Sequence, residues 1–317
     1  MNSHSVFHIL IVITILIPAF PVNGNTIPLF ISSDGSLVLA TNTSRDVLRL
    51  IDTTTKQTIT VEETRGIGTT ACISPDNRYI CYTRFISSSN GRLQIPVVFD
   101  IQTRSSRNLY FPSVKAASPV MADDGTMALS IENRLLIVGS DWGIREMRHS
   151  GCCTNLLAFS PDSKKIAFCE EGEQIRIQSL DDGGEFSIIP CESCIRELSF
   201  SPGGDRILMQ SNDGRIYCCT LDDKNPRFLS EGQSASWLDN GIIAFTRWIG
   251  EDGRSGATEL IVMDISGREI RKEILESGCV HTAINGCNAA FVSSNLMHTG
   301  SIDQDKTLSY QTFEILP

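Results

Sequence analysis

The sequence is poor in the groups that most enzymes and nucleic-acid binders rely on. Histidine occurs only five times in 317 residues, and His4 and His8 both fall within the first 24. The others, His149, His281 and His298, are too far apart for the i, i+4 spacing with which two imidazoles hold a metal ion. There is no G-x-S-x-G nucleophile elbow and no alternating D-x-D-x-D-G calcium loop. Acidic pairs such as Asp123/Asp124, Asp181/Asp182 and Asp222/Asp223 lie in turn-like sequence, where Asp bonds local backbone N–H groups. Basic residues are in the minority, 27 Lys and Arg against 37 Asp and Glu. A net charge of −10 repels phosphate backbones, so nucleic acid is excluded as an expected partner. After Gly24 no stretch shows a 3.6-residue apolar period, which excludes a helical domain. No catalytic residue, metal or cofactor is expected.

Charge is also missing from the N-terminus: residues 1–24 contain no Asp, Glu, Lys or Arg. Val6 to Ile17 is an apolar run of twelve, interrupted only by His8 and Thr14. Pro18, Pro21 and Val22-Asn23-Gly24 follow, placing small residues at −3 and −1 of a cut after Gly24. The run is too short to span a bilayer and has the layout of a secretory signal. The expected organisation is therefore a signal peptide at 1–24 and one domain at 25–317, exported to the periplasm or the extracellular space. No stable membrane span is expected after cleavage. No Cys precedes Cys72, which excludes a lipoprotein anchor at the mature N-terminus.

What the chain does have is a repeat. An apolar stretch, Ser-Pro-Asp or a variant, a small polar residue and a second apolar stretch recur throughout. The copies are FISSDGSLVLA (30–40), CISPDNRYICY (72–82), VMADDGTMALS (120–130), AFSPDSKKIAF (158–168) and SFSPGGDRILM (199–209). Weaker copies are SWLDNGIIAFT (236–246) and AINGCNAAFVS (283–293). Anchored on Asp34, Asp76, Asp124, Asp162, Gly203, Asp239 and Asn285, the spacing averages about 42 residues. Seven such units fill the mature chain. Pro presets φ in the turn and Asp and Gly tolerate its later positions, while the flanking runs are short, β-branched and aromatic, as strands require. A third run follows in each unit: Val47–Ile51, Ile95–Phe99, Leu135–Val138, Ile175–Ile177, Ile216–Cys219, Leu260–Met263 and Leu308–Phe313. A more polar fourth run completes it. Four antiparallel strands per unit predict an all-β propeller of seven blades. The last unit ends just after its third run, so its blade is expected to have three strands or to close loosely on the first.

AFSPDSKKIAF and SFSPGGDRILM resemble the TolB-type propeller repeat, a relative of the Trp-Asp repeat. The resemblance covers residues 28 to about 315 and fades in the sixth and seventh units. It implies a ring of blades serving as a protein- or ligand-binding platform in the cell envelope. The chain differs from TolB in lacking the additional N-terminal α/β domain, so the Tol–Pal role is not implied.

Two residue sets bear on function. Cys153 and Cys194 each stand eight residues before a turn proline, Pro161 and Pro202, and so occupy equivalent places in neighbouring units. They can be packed or locally paired thiols, an inter-blade disulfide, or, with Cys152 and Cys191, a four-sulfur metal site. The connections between second and third strands are expected to be long in the second (87–93), sixth (249–258) and seventh (295–306) units, which share one sector of a closed ring. At or near their roots lie Arg84, Phe85, Arg247, Trp248 and Arg254, residue types that dominate protein interfaces. The expected function is that of an exported propeller binding a protein or glycan partner and performing no chemistry. The alternative is a small-molecule-binding or hydrolytic propeller with its site in the central channel, which would require His, Asp or Glu side chains converging there.

Overall fold

The computed structural model describes residues 26–67, 71–89, 91–117, 119–147, 153–170, 174–181, 186–191, 194–250, 256–275, 281–293, 296–302 and 308–313. The expected signal segment lies outside them. The described residues form 28 strands and no helix. Blade 1 is β1 (Thr26–Ile31), β2 (Leu37–Asn42), β3 (Val47–Asp52) and β4 (Thr58–Glu63). Blade 2 is β5 (Ala71–Ile73), β6 (Tyr79–Ser88), β7 (Gly91–Asp100) and β8 (Ser105–Asn108). Blade 3 is β9 (Val120–Met121), β10 (Met127–Ile131), β11 (Arg134–Val138) and β12 (Ile144–Met147). Blade 4 is β13 (Cys153–Phe159), β14 (Lys165–Glu170), β15 (Gln174–Ser179) and β16 (Phe186–Pro190). Blade 5 is β17 (Ile195–Phe200), β18 (Arg206–Ser211), β19 (Arg215–Thr220) and β20 (Arg227–Glu231). Blade 6 is β21 (Gln233–Asp239), β22 (Ile242–Ile249), β23 (Ala257–Asp264) and β24 (Glu269–Ile274). Blade 7 is β25 (His281–Asn285), β26 (Asn288–Ser293), β27 (Leu296–Ile302) and β28 (Leu308–Phe313). Each sheet pairs its four strands antiparallel in chain order, as the repeat predicts.

The repeated turn explains why the first two strands of a unit meet in register. In four blades a buried serine opens it: Ser32, Ser74, Ser160 and Ser201. Each hydroxyl donates to the turn aspartate, at 2.6 Å to Asp34, 2.5 Å to Asp76, 2.5 Å to Asp162 and 3.0 Å to Asp205. The same oxygen accepts the N–H five residues on, from Leu37, Tyr79, Lys165 and Arg206. The backbone then turns through positive φ at Gly35 (74°), Asn77 (58°), Ser163 (56°) and Gly204 (71°). Small or Asx residues hold that conformation at least cost. At Asp34, burial raises the carboxyl, but hydrogen bonds from Ser32, Ser36 and Asn77 outweigh it and lower it overall. The Ser160 hydroxyl likewise holds Asp162 low.

The core lies between blades. Leu39, Leu48 and Leu50 of blade 1 pack with Ile80, Tyr82 and Val97 of blade 2. Burying each such side chain fully is worth about 1.5–3 kcal/mol. The ring closes by the same means: Ile31, Val38 and Ile51 of blade 1 share a core with Ala290 and Met297 of blade 7. Asn285 Nδ2 adds a 2.9 Å bond to the Ile31 carbonyl, and Asn288 Nδ2 one of 2.6 Å to that of Ser33.

Blade 7 corrects the sequence reading. It has four strands, and 308–313 is its fourth strand rather than its third. The third, β27, runs through sequence that reads as loop because His298, Thr299 and Ser301 interrupt it. His298 is fully buried, its ring stacked on Phe291 at 4.6 Å, and Met297 and Ile302 are buried beside it. The β26–β27 connection is consequently short, and the expected long loop of that blade is not there.

Candidate functional site

The innermost strand of each blade lines the central channel, which encloses about 550 Å³. The innermost strands of blades 1 to 4 contribute mainly apolar side chains, Leu29, Phe30, Val120 and Leu157, and Arg45 of the β2–β3 link also lines the channel. The opposite wall is polar, with Arg196, Glu197, Ser234 and Thr282. Ser234 donates to the Thr282 carbonyl at 3.0 Å, and the Thr246 and Thr282 hydroxyls bond at 3.0 Å, so this wall also ties blades 6 and 7 together. Glu197 is the one carboxylate among the described lining residues. Its oxygens are wetted by the channel, yet protein surrounds them on most sides. That desolvation pushes the carboxyl up, while Arg196, at 3.2 Å, pulls it down. Among the described residues no three His, Cys, Asp or Glu gather as metal ligands would. The convergence of acids and imidazoles that channel catalysis needs is not found among them.

Alternate connections emerge on opposite faces of the ring. The serine-aspartate turns lie on one face, and the links between second and third strands lie on the other. On that second face β6 and β7 form the longest hairpin, paired from Tyr79↔Asp100 to Ser88↔Gly91. Arg84 donates to Glu62 of blade 1 at 2.5 Å and also reaches Asn108 and Ser106. Beside it, burial and then the Glu62 charge push the Tyr82 hydroxyl up to about 12. Phe85 is half-buried beneath the Arg92 guanidinium, 3.8 Å from its ring centre, and Arg92 also donates to the Arg65 carbonyl. In blade 6, Arg247 bridges Glu259 at 3.3 Å and Glu269 at 3.2 Å. Trp248 next to it is 40% exposed. Arg254 lies outside the described residues.

These two clusters share a face, but blades 7 and 1 stand between them. No hydrogen bond or ring contact among the described residues joins them. Sequence reasoning missed a neighbouring feature, the link from blade 2 to blade 3. There Phe111 is 80% exposed and Val114 67% exposed. The segment is held against the long hairpin by paired backbone bonds between Gln94 and Ser113. Its signal was legible in principle: Phe111-Pro-Ser-Val114 is apolar sequence where the repeat calls for a polar link.

Cys153 begins β13, but its side chain lies outside the described residues; Cys194 is exposed just before β17. Cys81, Cys169, Cys218 and Cys219 are buried within strands. Cys72 and Cys81 face each other across β5 and β6.

No family model matches the chain, and no curated protein matches its sequence. Solved structures share its fold. TolB from Acinetobacter baumannii is 18% identical, with a TM-score of 0.53 over 81% of this chain and 65% of that one, so the match spans less than two thirds of TolB. An oligogalacturonate lyase in complex with manganese is 14% identical, with a TM-score of 0.52 over 68% of this chain and 72% of that one. Hsv2 from Kluyveromyces lactis is 15% identical, with a TM-score of 0.54 over 92% of this chain and all of that one. At these identities the likeness is one of fold: the chain is a seven-bladed β-propeller similar to TolB and to other propellers.

Proposed function

We propose that this protein is an exported propeller that binds a protein or glycan partner through the face carrying the β6–β7 and β22–β23 hairpins, and performs no chemistry. The observation that carries the reading is the exposure of large apolar side chains beside guanidinium groups on that face. Phe111, Val114 and Trp248 are solvent-exposed, while Arg92 covers Phe85 and Arg247 flanks Trp248. Aromatic and Arg side chains of this kind lose water on docking and contribute most of an interface's energy. Arg84 serves as a scaffold for the hairpin through its bond to Glu62, and Arg254 is a further candidate in the sequence between β22 and β23. Export rests on the uncharged apolar run at Val6–Ile17 and the small residues at Val22 and Gly24.

The test is cross-linked capture from native secretions with the wild type, Phe111→Ser and Trp248→Ser. A partner held by the wild type and lost from both variants, with unchanged unfolding midpoints, supports the reading. A partner retained equally by all three overturns it. N-terminal sequencing of the secreted protein should begin at Asn25. A second reading, a small ligand in the channel, draws on the raised Glu197 carboxyl at its wall. It requires a ligand whose affinity falls on Glu197→Gln and is untouched by Trp248→Ser.

A further inference from the structure

The other face holds a second built feature. A groove of about 240 Å³ where blade 2 meets blade 3 is lined by Arg78 and Arg107 against one carboxylate, Asp100, a local surplus of one positive charge within a chain of −10. Tyr79 and Trp142 meet edge to face in it, with ring centres 6.3 Å apart. Arg78 lies over the Tyr79 ring at 4.9 Å, and Arg107 over the Trp142 ring at 4.4 Å.

The two arginines are not equivalent. Arg78 is ion-paired with Asp100 at 3.3 Å. Asp100 is committed to its own turn, accepting the Gln102 and Thr103 N–H groups at 2.9 and 3.0 Å. Arg107 is exposed, and among the described residues it has no carboxylate partner. It is an oriented guanidinium, held by a ring and open to an incoming anion. Trp142 is itself unusual: it sits in the turn between β11 and β12 with a φ of 68°. A bulky side chain is seldom held there, and such strain recurs at ligand clamps.

The groove is bounded by β8, the outermost strand of blade 2, whose four residues are all exposed. Among the described residues no strand pairs with its outer edge, which leaves backbone N–H and C=O groups there free. Ser105 and Arg107 face the groove, while Ser106 and Asn108 face the other way, toward Arg84.

We propose that this groove is a docking site for an extended acidic peptide segment of a partner protein. The segment adds to the free edge of β8 as a fifth strand, which supplies backbone hydrogen bonds. A carboxylate facing the groove pairs with Arg107, and the methylenes beneath it lie across Tyr79 and Trp142. The free strand edge favours a polypeptide, which alone carries the backbone N–H and C=O groups that pair with it, over a glycan or a nucleic acid. This face is opposite the one assigned under the proposed function, so either can fail without the other.

The test uses the full chain and a fluorescein-labelled hexapeptide alternating Glu with Val, with its Gln–Val counterpart as control. The Glu–Val peptide should bind at least ten-fold more tightly than the control, and added salt should weaken it. Arg107→Gln should weaken binding at least ten-fold, whereas Arg271→Gln on the exposed edge of blade 6 should leave it unchanged. Trp142→Gly removes the ring while relieving the positive φ, so binding should fall with little change in unfolding midpoint. The proposal is overturned if neither peptide binds, if both bind alike, or if Arg107→Gln binds as the wild type does. It is equally overturned if alginate, a carboxylated glycan, binds through Arg107 and the peptide does not.

Discussion

Blades 2 and 6 carry nearly the same four residues at the same register, Tyr82-Thr83-Arg84-Phe85 and Phe245-Thr246-Arg247-Trp248. In both, the first aromatic and the threonine are buried, and the chain emerges toward solvent at the arginine. The ionic partners differ. Arg84 reaches across to Glu62 on β4 and so fastens blade 2 to blade 1. Arg247 stays within its own blade, on Glu259 of β23 and Glu269 of β24. Equal strand position fixes which way a side chain points; what it meets is decided by the neighbouring strand, and that is supplied by another part of the sequence. A repeated motif therefore repeats its geometry without repeating its role.

The largest effect expected from this comparison is at the residues the two blades have in common. Phe245 is fully buried among Trp237, Ile261 and Met263, and Gly232 packs against its ring. Phe245→Ala should cost about 3–5 kcal/mol, read as a drop in urea midpoint at unchanged slope. A loss below about 1 kcal/mol would mean that blade 6 is not packed as described.

Next in size are the two arginine clusters. Glu259 is buried, and without Arg247 its nearest remaining cation is Lys272, at 3.7 Å. Arg247→Ala should cost about 2–3 kcal/mol, less than the roughly 3–5 kcal/mol of breaking a fully buried pair, because Arg247 is partly exposed and Lys272 remains. Glu62→Gln should cost about 1 kcal/mol, since Arg84 keeps Asn108, Ser106 and partial contact with water. Chemical denaturation of the two variants side by side orders them; the reverse order would contradict the partner assignment.

A smaller and pH-dependent effect separates Tyr82 from Phe245. The Tyr82 hydroxyl, raised to about 12 by burial and by Glu62, stays neutral in the folded protein where an unfolded tyrosine would ionise near 10. Its contribution is complete below pH 10 and is lost as pH rises through 12. Burial likewise raises Cys191 to about 12 and Cys218 to about 11, adding alkaline sensitivity from pH 9 upward. Tyr82→Phe, which makes blade 2 resemble blade 6, should flatten the fall in unfolding midpoint above pH 10. An unchanged slope there would place the whole alkaline loss on the thiols.

Much of this architecture is legible in the chain because its cause is local. The turn of blades 1, 2, 4 and 5 needs a serine, an aspartate and a residue tolerant of positive φ within a few positions, and those recur along the chain at the repeat spacing. β27 was not legible, because His298 and Thr299 are polar residues buried by a stack on Phe291 and by neighbouring strands. Likewise the site residues Arg84 and Arg247 could be found from their motif, whereas their partners could not. The groove of Arg78, Tyr79, Arg107 and Trp142 joins two blades and leaves no pattern along the chain.

The smallest expected change in stability is at the exposed end of the blade 6 motif. Trp248 pairs with Thr258 across the hairpin and packs over Gly256, yet 40% of its surface meets solvent. Trp248→Ala removes part of a packed ring, and a loss of no more than about 1 kcal/mol is expected, near the centre of measured substitutions. Partner affinity should fall by about 1–3 kcal/mol if the ring is an interface anchor. Phe85 in blade 2, already covered by Arg92, should give a smaller loss of affinity on Phe85→Ala. Affinity by calorimetry and unfolding midpoint must be measured on the same preparations. If Trp248→Ala lowers stability by several kcal/mol and leaves affinity unchanged, the ring belongs to blade packing and blade 6 contributes no binding surface.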